Sequence, residues 1–344
     1  MRGDVREGRD LLAWGLDTVR PTLEKILAEL PGEVAPLARY CNGFQHADGT
    51  PIDPPRTGKW LRPTLVLLAA GAAGGDPGEV LRIAAATELM QASSLLHDDI
   101  ADDDRARHGL PAAWVAFGTG PALFLGNILA AKALEVVAEE SGTAPALLPL
   151  AIRALVELNV GQTRDCLLER REPGDVSLRE YEELCTGKTD NLVRFALVCG
   201  ATLGGASDQA IDALRRAGLH AALAGQAGND MGNVWNDGIA TGKTPLTDLL
   251  TGKHTLPVIL GLRTAPGPLR DSLRTALRDA VGDPEAAHDA AALLERAGGR
   301  TAVEDYRARH LAQAQTALAR ADLPGRRSKA ELASLIDYVV THTR

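Results

Sequence analysis

The amino-acid sequence predicts an all-α protein. Segments rich in Ala and Leu fill most of its 344 residues, and in VLRIAAATELMQASSLL (80–96) the apolar residues recur at helical spacing. Short clusters of Gly and Pro, such as GAAGGDPGE and TAPGP, separate these segments, and runs of alternating β-branched residues are hard to find. Several segments lack a polar face, as the central helices of a large bundle do. We expect roughly ten or more helices in a single domain over residues 1–344.

Composition and charge narrow the class of protein. Apolar residues make up 45% of the chain and aromatic residues only 3%, so the core must be built from Ala, Leu and Val. The net charge of −8, without a basic stripe, argues against nucleic-acid binding. Four scattered cysteines lack metal-ligand spacing and indicate reduced thiols. The start, MRGDVREGRD, has no apolar signal region and no run reaches transmembrane length, so we expect a cytoplasmic protein with no membrane span.

The stretch LLHDDIADDDRARHG concentrates acidic residues at the end of an apolar helix. Asp98 and Asp102 are one turn apart, so their carboxylates point the same way. They repel each other, and the helix dipole disfavours anions at this end, so a hard cation such as Mg²⁺ is expected to compensate. Magnesium combines one or two carboxylates with water and substrate phosphates, which indicates a diphosphate substrate within reach of Arg107. The alternative, a solvated acidic helix end, fits poorly with the apolar residues before it.

This stretch resembles the first aspartate-rich motif of the trans-isoprenyl diphosphate synthases (the polyprenyl synthetase family), DDxxD followed by Arg-Arg-Gly. Further fragments resemble the family's motifs in its order: GKWLRP (58–63) before it, and GQTRD (161–165), CTGKTDNL (185–192) and TGKTPLTDLLTGKHTLP (241–257) after it. The resemblance covers roughly residues 55–340. It implies a single-domain helical bundle of the isoprenoid synthase (class I terpenoid synthase) fold, with a deep central cavity and aspartates from two facing helices at its mouth. It also implies a homodimer and three Mg²⁺ ions that bind and ionise an allylic prenyl diphosphate.

Carried over position by position, the resemblance assigns roles to individual residues. Asp98, Asp99 and Asp102 become metal ligands. The residues expected to contact the substrate diphosphate are Arg107, Lys188, Lys243 and Lys253, and those expected to contact an acceptor diphosphate are Lys59, Arg62, Gln91 and His108. Ser93 and Ser94 occupy positions where short-chain synthases carry bulky residues at the cavity floor, so their small side chains imply room for a C20 or C25 chain.

The second aspartate motif departs from the family pattern. In GQAGNDMGNVWND, Asn229 replaces the first aspartate and Asn233 the last, and an amide binds Mg²⁺ less strongly than a carboxylate. Asn229, Asn233 and Asp237 stand at i, i+4 and i+8, which resembles the metal triad of class I terpene cyclases. We therefore expect these three to join the metal ligands. Gly225 replaces a Phe and removes a large apolar surface from the acceptor pocket, and His108 replaces the second Arg of Arg-Arg-Gly.

Four functions remain open at this point. The first is a terpene cyclase that ionises a C20–C25 allylic diphosphate, favoured by the Asn229 triad, Gly225 and His108. The scarcity of aromatic residues and the retained Lys59 and Arg62 count against it. The second is a chain-elongating synthase of the geranylgeranyl type that uses isopentenyl diphosphate, and the third is prenyl transfer to another, bulkier acceptor. The fourth is a non-enzymatic subunit of a heteromeric synthase, which the intact first motif opposes.

Overall fold

The computed structural model describes residues 6–140, 142, 144–235 and 245–342, without the side chain of residue 189. The prediction of an all-α protein is confirmed, because sixteen α-helices form within these residues. The strands of the described residues are confined to one short hairpin and an isolated bridge. The hairpin pairs β1 (Ala106–Arg107) antiparallel with β2 (Leu110–Pro111).

The chain divides into two compact units. Unit 1 contains Met1–Leu158, Asn191–Arg215 and Arg320–Leu335, and unit 2 contains Asn159–Asp190, Arg216–Ala319 and Ile336–Arg344. The prediction of a single domain over residues 1–344 stays a prediction. Four helices include a boundary between the units: α7 (Leu147–Leu168), α10 (Asp208–Trp235), α15 (Gly299–Arg320) and α16 (Arg326–Thr341).

Unit 1 has a core of Ala, Leu and Val side chains, as the composition predicts. Its other helices are α1 (Gly8–Ala28), α2 (Ala35–Cys41), α3 (Leu61–Ala73), α4 (Leu81–Ala101), α5 (Ala113–Phe117), α6 (Thr119–Glu140) and α9 (Asn191–Leu203). Helices α3 and α9 pack closely because Gly200 and Gly204 have no side chain, and a Cβ at either position would collide with the backbone of α3. Burial of α3 and α4 on nearly all sides explains why neither has a clear polar face.

Helix α6 differs from the sequence-based expectation. By length and composition alone it could cross a membrane, whereas the sequence was expected to contain no such run. In the structure it packs along α4, and Ala122, Leu125, Leu129 and Ala133 lie on its buried face. A core helix of a folded domain passes the same test of length and composition, so α6 is weak support for a membrane span.

Unit 2 is built around α15 (Gly299–Arg320), where Tyr306 is fully buried beside Tyr181, Leu256 and Val303. Its other helices are α8 (Leu178–Cys185), α11 (Thr247–Leu250), α12 (Leu256–Thr264), α13 (Gly267–Asp279) and α14 (Pro284–Arg296). A capping box formed by Ser177 and Glu180 starts α8, and a π-helical stretch, Thr186–Asp190, follows it. Single π-helical turns often occur at functional sites, and this one contains the predicted diphosphate contact Lys188.

Candidate active site

The first aspartate motif lies at the C-terminal end of α4, as predicted. Asp98 and Asp102 are half-buried, and the Asp102 N–H donates to the Asp98 carbonyl at 2.8 Å in the last helical turn. Asp103 then takes a left-handed conformation with φ of 53°, which stops the helix and turns the chain into the β1–β2 hairpin. The hairpin returns Arg107 to the end of the helix that the aspartates occupy.

Asp99 is separated from its neighbours by burial and by an ion pair. Its side chain is only 4% exposed, and it accepts a hydrogen bond from Arg107 Nε at 2.8 Å and another from Arg107 Nη2. Arg107 Nη2 also bonds to Asp104 at 3.0 Å. Burial raises the pKa of the Asp99 carboxyl above its ordinary value, while Arg107 opposes that rise. The predicted metal-ligand role of Asp99 and the predicted diphosphate contact of Arg107 remain predictions, because each group is engaged with the other.

The remaining carboxylates of the motif fit a magnesium ion. Within the described residues, no group of three or more His, Cys, Asp or Glu side chains is arranged to hold a metal. Magnesium does not require such a group, because it binds through one or two carboxylates and takes its other oxygens from water and substrate phosphates. Asp98 and Asp102, half-buried and one turn apart, are a donor pair of that kind.

A cleft opens in unit 1 between the segment before α3, one face of α4 and the hairpin. Arg56, Gly58, Glu88, Asp99, Arg107 and His108 are among its lining residues. The His108 ring packs over Gly58, where a Cβ would come within 3.3 Å of it, and Arg56 Nη1 donates to the Gly109 carbonyl at 2.9 Å. The GKWLRP segment and the end of the first aspartate motif therefore meet at one cleft.

The predicted acceptor contacts lie around this part of unit 1. Lys59 is exposed, and Arg62 and Gln91 are half-buried on α3 and α4. Trp60, buried and in a left-handed conformation with φ of 53°, sets the angle at which the segment enters α3. The predicted chain-length residues Ser93 and Ser94 are on α4, the first buried and the second half-buried.

In unit 2, Asp230 belongs to a buried network that the sequence analysis missed. Asp230 is only 3% exposed. Its carboxylate accepts hydrogen bonds from Tyr181 Oη at 2.8 Å, Gln226 Nε2 at 2.7 Å and the Leu256 N–H at 3.0 Å. It thereby ties α8, α10 and α12 together, and burial raises its pKa against these three donors. The one sign of this network in the sequence was the i, i+4 spacing of Gln226 and Asp230, which places their side chains on the same face of a helix.

The predicted residues of the second metal site differ in their surroundings. Asn229 is exposed, whereas the side-chain oxygen of Asn233 accepts a hydrogen bond from the Asp248 N–H at 3.0 Å. The predicted ligand Asp237 and the predicted diphosphate contact Lys243 lie outside the described residues. The metal-ligand roles of Asn229 and Asn233 stay predictions.

Two further motifs meet in unit 2 through Lys188. Lys188 Nζ donates to Asp165 Oδ2 at 2.6 Å, which joins the CTGKTDNL motif to the GQTRD motif. Gly161 permits this approach, because a Cβ at this position would lie only 2.7 Å from the backbone nitrogen of Lys188. Lys253 forms an ion pair with Glu169, with 3.7 Å between Lys253 Nζ and Glu169 Oε1. Gly225 is buried, yet a Cβ at this position would meet no atom of the described residues within 4 Å.

Comparison with known proteins identifies the family. The model of the polyprenyl synthetase family matches residues 54–294, which is most of the chain. The chain belongs to the polyprenyl synthetase family. The crystal structure of a polyprenyl synthetase from Streptomyces coelicolor is similar, with a TM-score of 0.88 and 33% identity over 98% of this chain and 99% of that one. The predicted all-α isoprenoid synthase fold is thereby confirmed.

Curated relatives of this polyprenyl synthetase are prenyl diphosphate synthases. It is 34% identical over 341 residues to a (2E,6E)-farnesyl diphosphate synthase of Mycobacterium bovis, covering 98% of this chain and 94% of that protein. It is 33% identical over 296 residues to a geranylgeranyl diphosphate synthase of Mycobacterium tuberculosis, covering 85% of this chain and 83% of that protein. These relatives favour a prenyltransferase and do not support the terpene cyclase that the sequence analysis placed first.

Proposed function

We propose that this polyprenyl synthetase elongates an allylic prenyl diphosphate with isopentenyl diphosphate in a magnesium-dependent reaction. The observation that supports this most is in unit 1, where the paired carboxylates Asp98 and Asp102 end the same helix that lines a cleft with Arg56 and His108. An ionising site and a cation-bearing cleft on one helix suit a reaction of two diphosphates. The names of the relatives give the same reaction class.

Each group in the proposal has a physical task. Asp98 and Asp102 hold Mg²⁺, which when bound neutralises the negative charge of the departing diphosphate. Asp99 fixes Arg107 beside them, so that the guanidinium is oriented before substrate arrives. The resemblance assigns Lys188 and Lys253 to the diphosphate of the allylic substrate, and these roles stay predictions. The number of ions, three by resemblance, is part of the proposal.

The acceptor is assigned to the cleft of unit 1. Lys59, Arg62, Gln91 and His108 are proposed to hold its diphosphate by charge and hydrogen bonds. In the reaction, the C–O bond of the allylic diphosphate breaks, the acceptor double bond forms the new C–C bond, and the product loses a proton. The small side chains of Ser93 and Ser94 support a C20 to C25 chain.

Incubation with and without acceptor tests this proposal. The pure protein is given Mg²⁺ and farnesyl or geranylgeranyl diphosphate, each with and without isopentenyl diphosphate, and both the chain length of the diphosphates and the hydrocarbon extract are analysed. A longer linear diphosphate formed only with isopentenyl diphosphate is expected. A cyclic product formed without it would instead support cyclisation, for which the absence of a side chain at Gly225 and the amide of Asn229 provide some ground. Absence of any diphosphate consumption would favour a non-enzymatic subunit.

Asn229→Asp is expected to strengthen magnesium binding in the second motif. Asn229 is exposed, so a carboxylate there costs little desolvation and offers a charged ligand in place of a neutral one. We expect the Mg²⁺ concentration for half-maximal rate to fall by about threefold to tenfold, since one charged contact contributes about 1 kcal/mol. Titration of the rate with MgCl₂ measures this. Asn159→Asp, an equal change at an exposed position of α7, is the control, and an unchanged magnesium dependence in Asn229→Asp would remove Asn229 from the metal site.

The predicted homodimer stays a prediction, and we propose a surface for it. Unit 1 exposes the large apolar side chains Val115, Leu123, Phe124, Ile152 and Val156. Contiguous exposed apolar patches mark interfaces, and we propose that these side chains form one. Val156→Asp is expected to convert a dimer to a monomer in sedimentation-equilibrium experiments, whereas Val281→Asp, equally exposed in unit 2, is expected to leave it intact. A monomeric wild-type protein would contradict the proposal. The cytoplasmic location also stays a prediction.

A further inference from the structure

Glu88 lies on the face of α4 that lines the cleft of unit 1. Glu88, Ala92, Leu95 and Asp99 all border the cleft, and their spacing of i, i+4, i+7 and i+11 places them on one side of the helix. Eleven residues of helix span about 16 Å. The cleft therefore runs along α4 from one carboxylate to another.

These two carboxylates differ in how their charge is balanced. Asp99 is hydrogen-bonded to Arg107. The cation that acts on Glu88 is Arg62 of α3, whose Nε is itself buried and has no hydrogen-bond partner in the part of the chain that the structure describes. Burial raises the pKa of the Glu88 carboxyl to about 7, although the charge of Arg62 opposes the rise. Near neutral pH the cleft therefore contains an acid that is only partly ionised.

Other titratable and charged groups line the cleft beside Glu88. Burial raises the pKa of the Tyr40 hydroxyl above its ordinary value and that of the Cys41 thiol to about 12, so both stay neutral. Arg56 lines the same cleft, and Arg107 is held in its ion pair with Asp99. Glu88 thus lines the cleft as a carboxyl whose charge changes near neutral pH, together with the histidine His108.

An ionised Glu88 and a diphosphate would place like charges in the same cleft, where they repel each other. We propose that Glu88 makes acceptor binding proton-linked: its carboxyl takes up a proton from solvent when the diphosphate enters the cleft and returns it when the cleft empties. Glu88 is then an affinity-determining residue of the acceptor cleft. This inference rests on the proposed function, because it requires that a diphosphate binds there.

The linkage fixes the sign and size of the effect. If the complex contains neutral Glu88, the apparent Kd rises with pH, by about twofold at pH 7 and about tenfold at pH 8 relative to its low-pH limit. Glu88→Gln is neutral at every pH and loses this contribution. The affinity ratio of Glu88→Gln to wild type is therefore expected to increase from about one at pH 6 to about ten at pH 8.

Calorimetric titration with isopentenyl diphosphate tests this inference. EDTA is present, so that only binding through protein groups is measured, and the titrations are run at pH 6, 7 and 8. The ligand and His108 are the same in every protein compared, so any pH dependence that they contribute is common to all of them. Glu88→Asp, which keeps a titrating carboxyl, is expected to retain the pH dependence. Glu79→Gln, which removes an exposed carboxylate before α4, is expected to behave as wild type. Glu88→Met replaces the Gln variant if that protein does not fold.

Three other outcomes would overturn the inference. An equal pH dependence in wild type and Glu88→Gln would show that Glu88 is not linked to binding, and would leave the proposed function intact. Weaker binding by Glu88→Gln at every pH would show that the carboxylate is needed in its charged form to hold Arg62 in place. Absence of isopentenyl diphosphate binding to the wild-type protein at all three pH values would overturn the acceptor cleft itself, and this inference with it.

Discussion

Asp98→Asn is expected to lower kcat by about 10³-fold while leaving the fold as stable as wild type or slightly more stable. Loss of one of two paired carboxylates removes the charge that holds Mg²⁺, and metal stabilisation of a leaving group contributes several kcal/mol, at about 1.4 kcal/mol for each tenfold in rate. The free energy of unfolding is expected to stay the same or to rise slightly. Asp98 lies in the last turn of α4, where the helix dipole disfavours an anion by about 0.3–1 kcal/mol.

Asp103→Asn is the matched control for this change. It removes the same charge from the same cluster, but Asp103 is exposed and sits beyond the helix in a left-handed conformation that Asn adopts well. The kcat of Asp103→Asn is expected to stay within about threefold of wild type, because a solvent-exposed charge outside the metal site contributes little. The rates of both variants are measured as diphosphate released over a range of MgCl₂ concentrations. Equal losses in the two variants would mean that the cluster acts through its total charge and not through Asp98.

The end of α4 illustrates what the sequence could predict and what it could not. An apolar periodic segment followed by acidic residues and a turn predicted the helix and its end, since these depend on local spacing. The burial of Asp99 and its bond to Arg107 depend on how α4 packs and on the hairpin that Asp103 starts. Neighbouring helical residues point about 100° apart. Adjacent aspartates of one motif can therefore have different roles, whereas a match to the motif assigns the same role to all of them.

Asp230 shows the same limit at longer range. Two of its hydrogen-bond donors, Tyr181 and the Leu256 N–H, are 49 and 26 residues away in the chain. Helical periodicity reports only on contacts within one element, so it gave no signal for either partner. Asn229 and Asn233 were predicted to be metal ligands, whereas no role was predicted for the aspartate between them. In the structure that aspartate is a buried acceptor that holds three helices of unit 2 together.

Arg107→Met is expected to destabilise unit 1 by about 3 kcal/mol at neutral pH, because breaking a buried ion pair from one side leaves the other charge buried and unbalanced. Asp99 is 3% exposed and cannot regain water without opening the packing around it. The double variant Asp99→Asn with Arg107→Met is expected to recover most of the loss. Arg105→Met, two residues earlier, removes an exposed cation that lies over the Trp114 ring at 5.2 Å, and about 0.5–1 kcal/mol is expected for it.

The pH dependence of this loss provides a second test of the same ion pair. Burial already raises the pKa of Asp99, and removal of Arg107 removes the interaction that opposes the rise. A group whose pKa is higher in the folded than in the unfolded protein favours folding when protonated, and that contribution is lost as pH rises through the folded value. The deficit of Arg107→Met should therefore be smaller at pH 5 than at pH 8. Urea unfolding followed by fluorescence reports on unit 1, which contains three of the four tryptophans, Trp14, Trp60 and Trp114. A deficit that is equal at both pH values would mean that Asp99 keeps its charge by hydration, and that the ion pair is not what makes its burial possible.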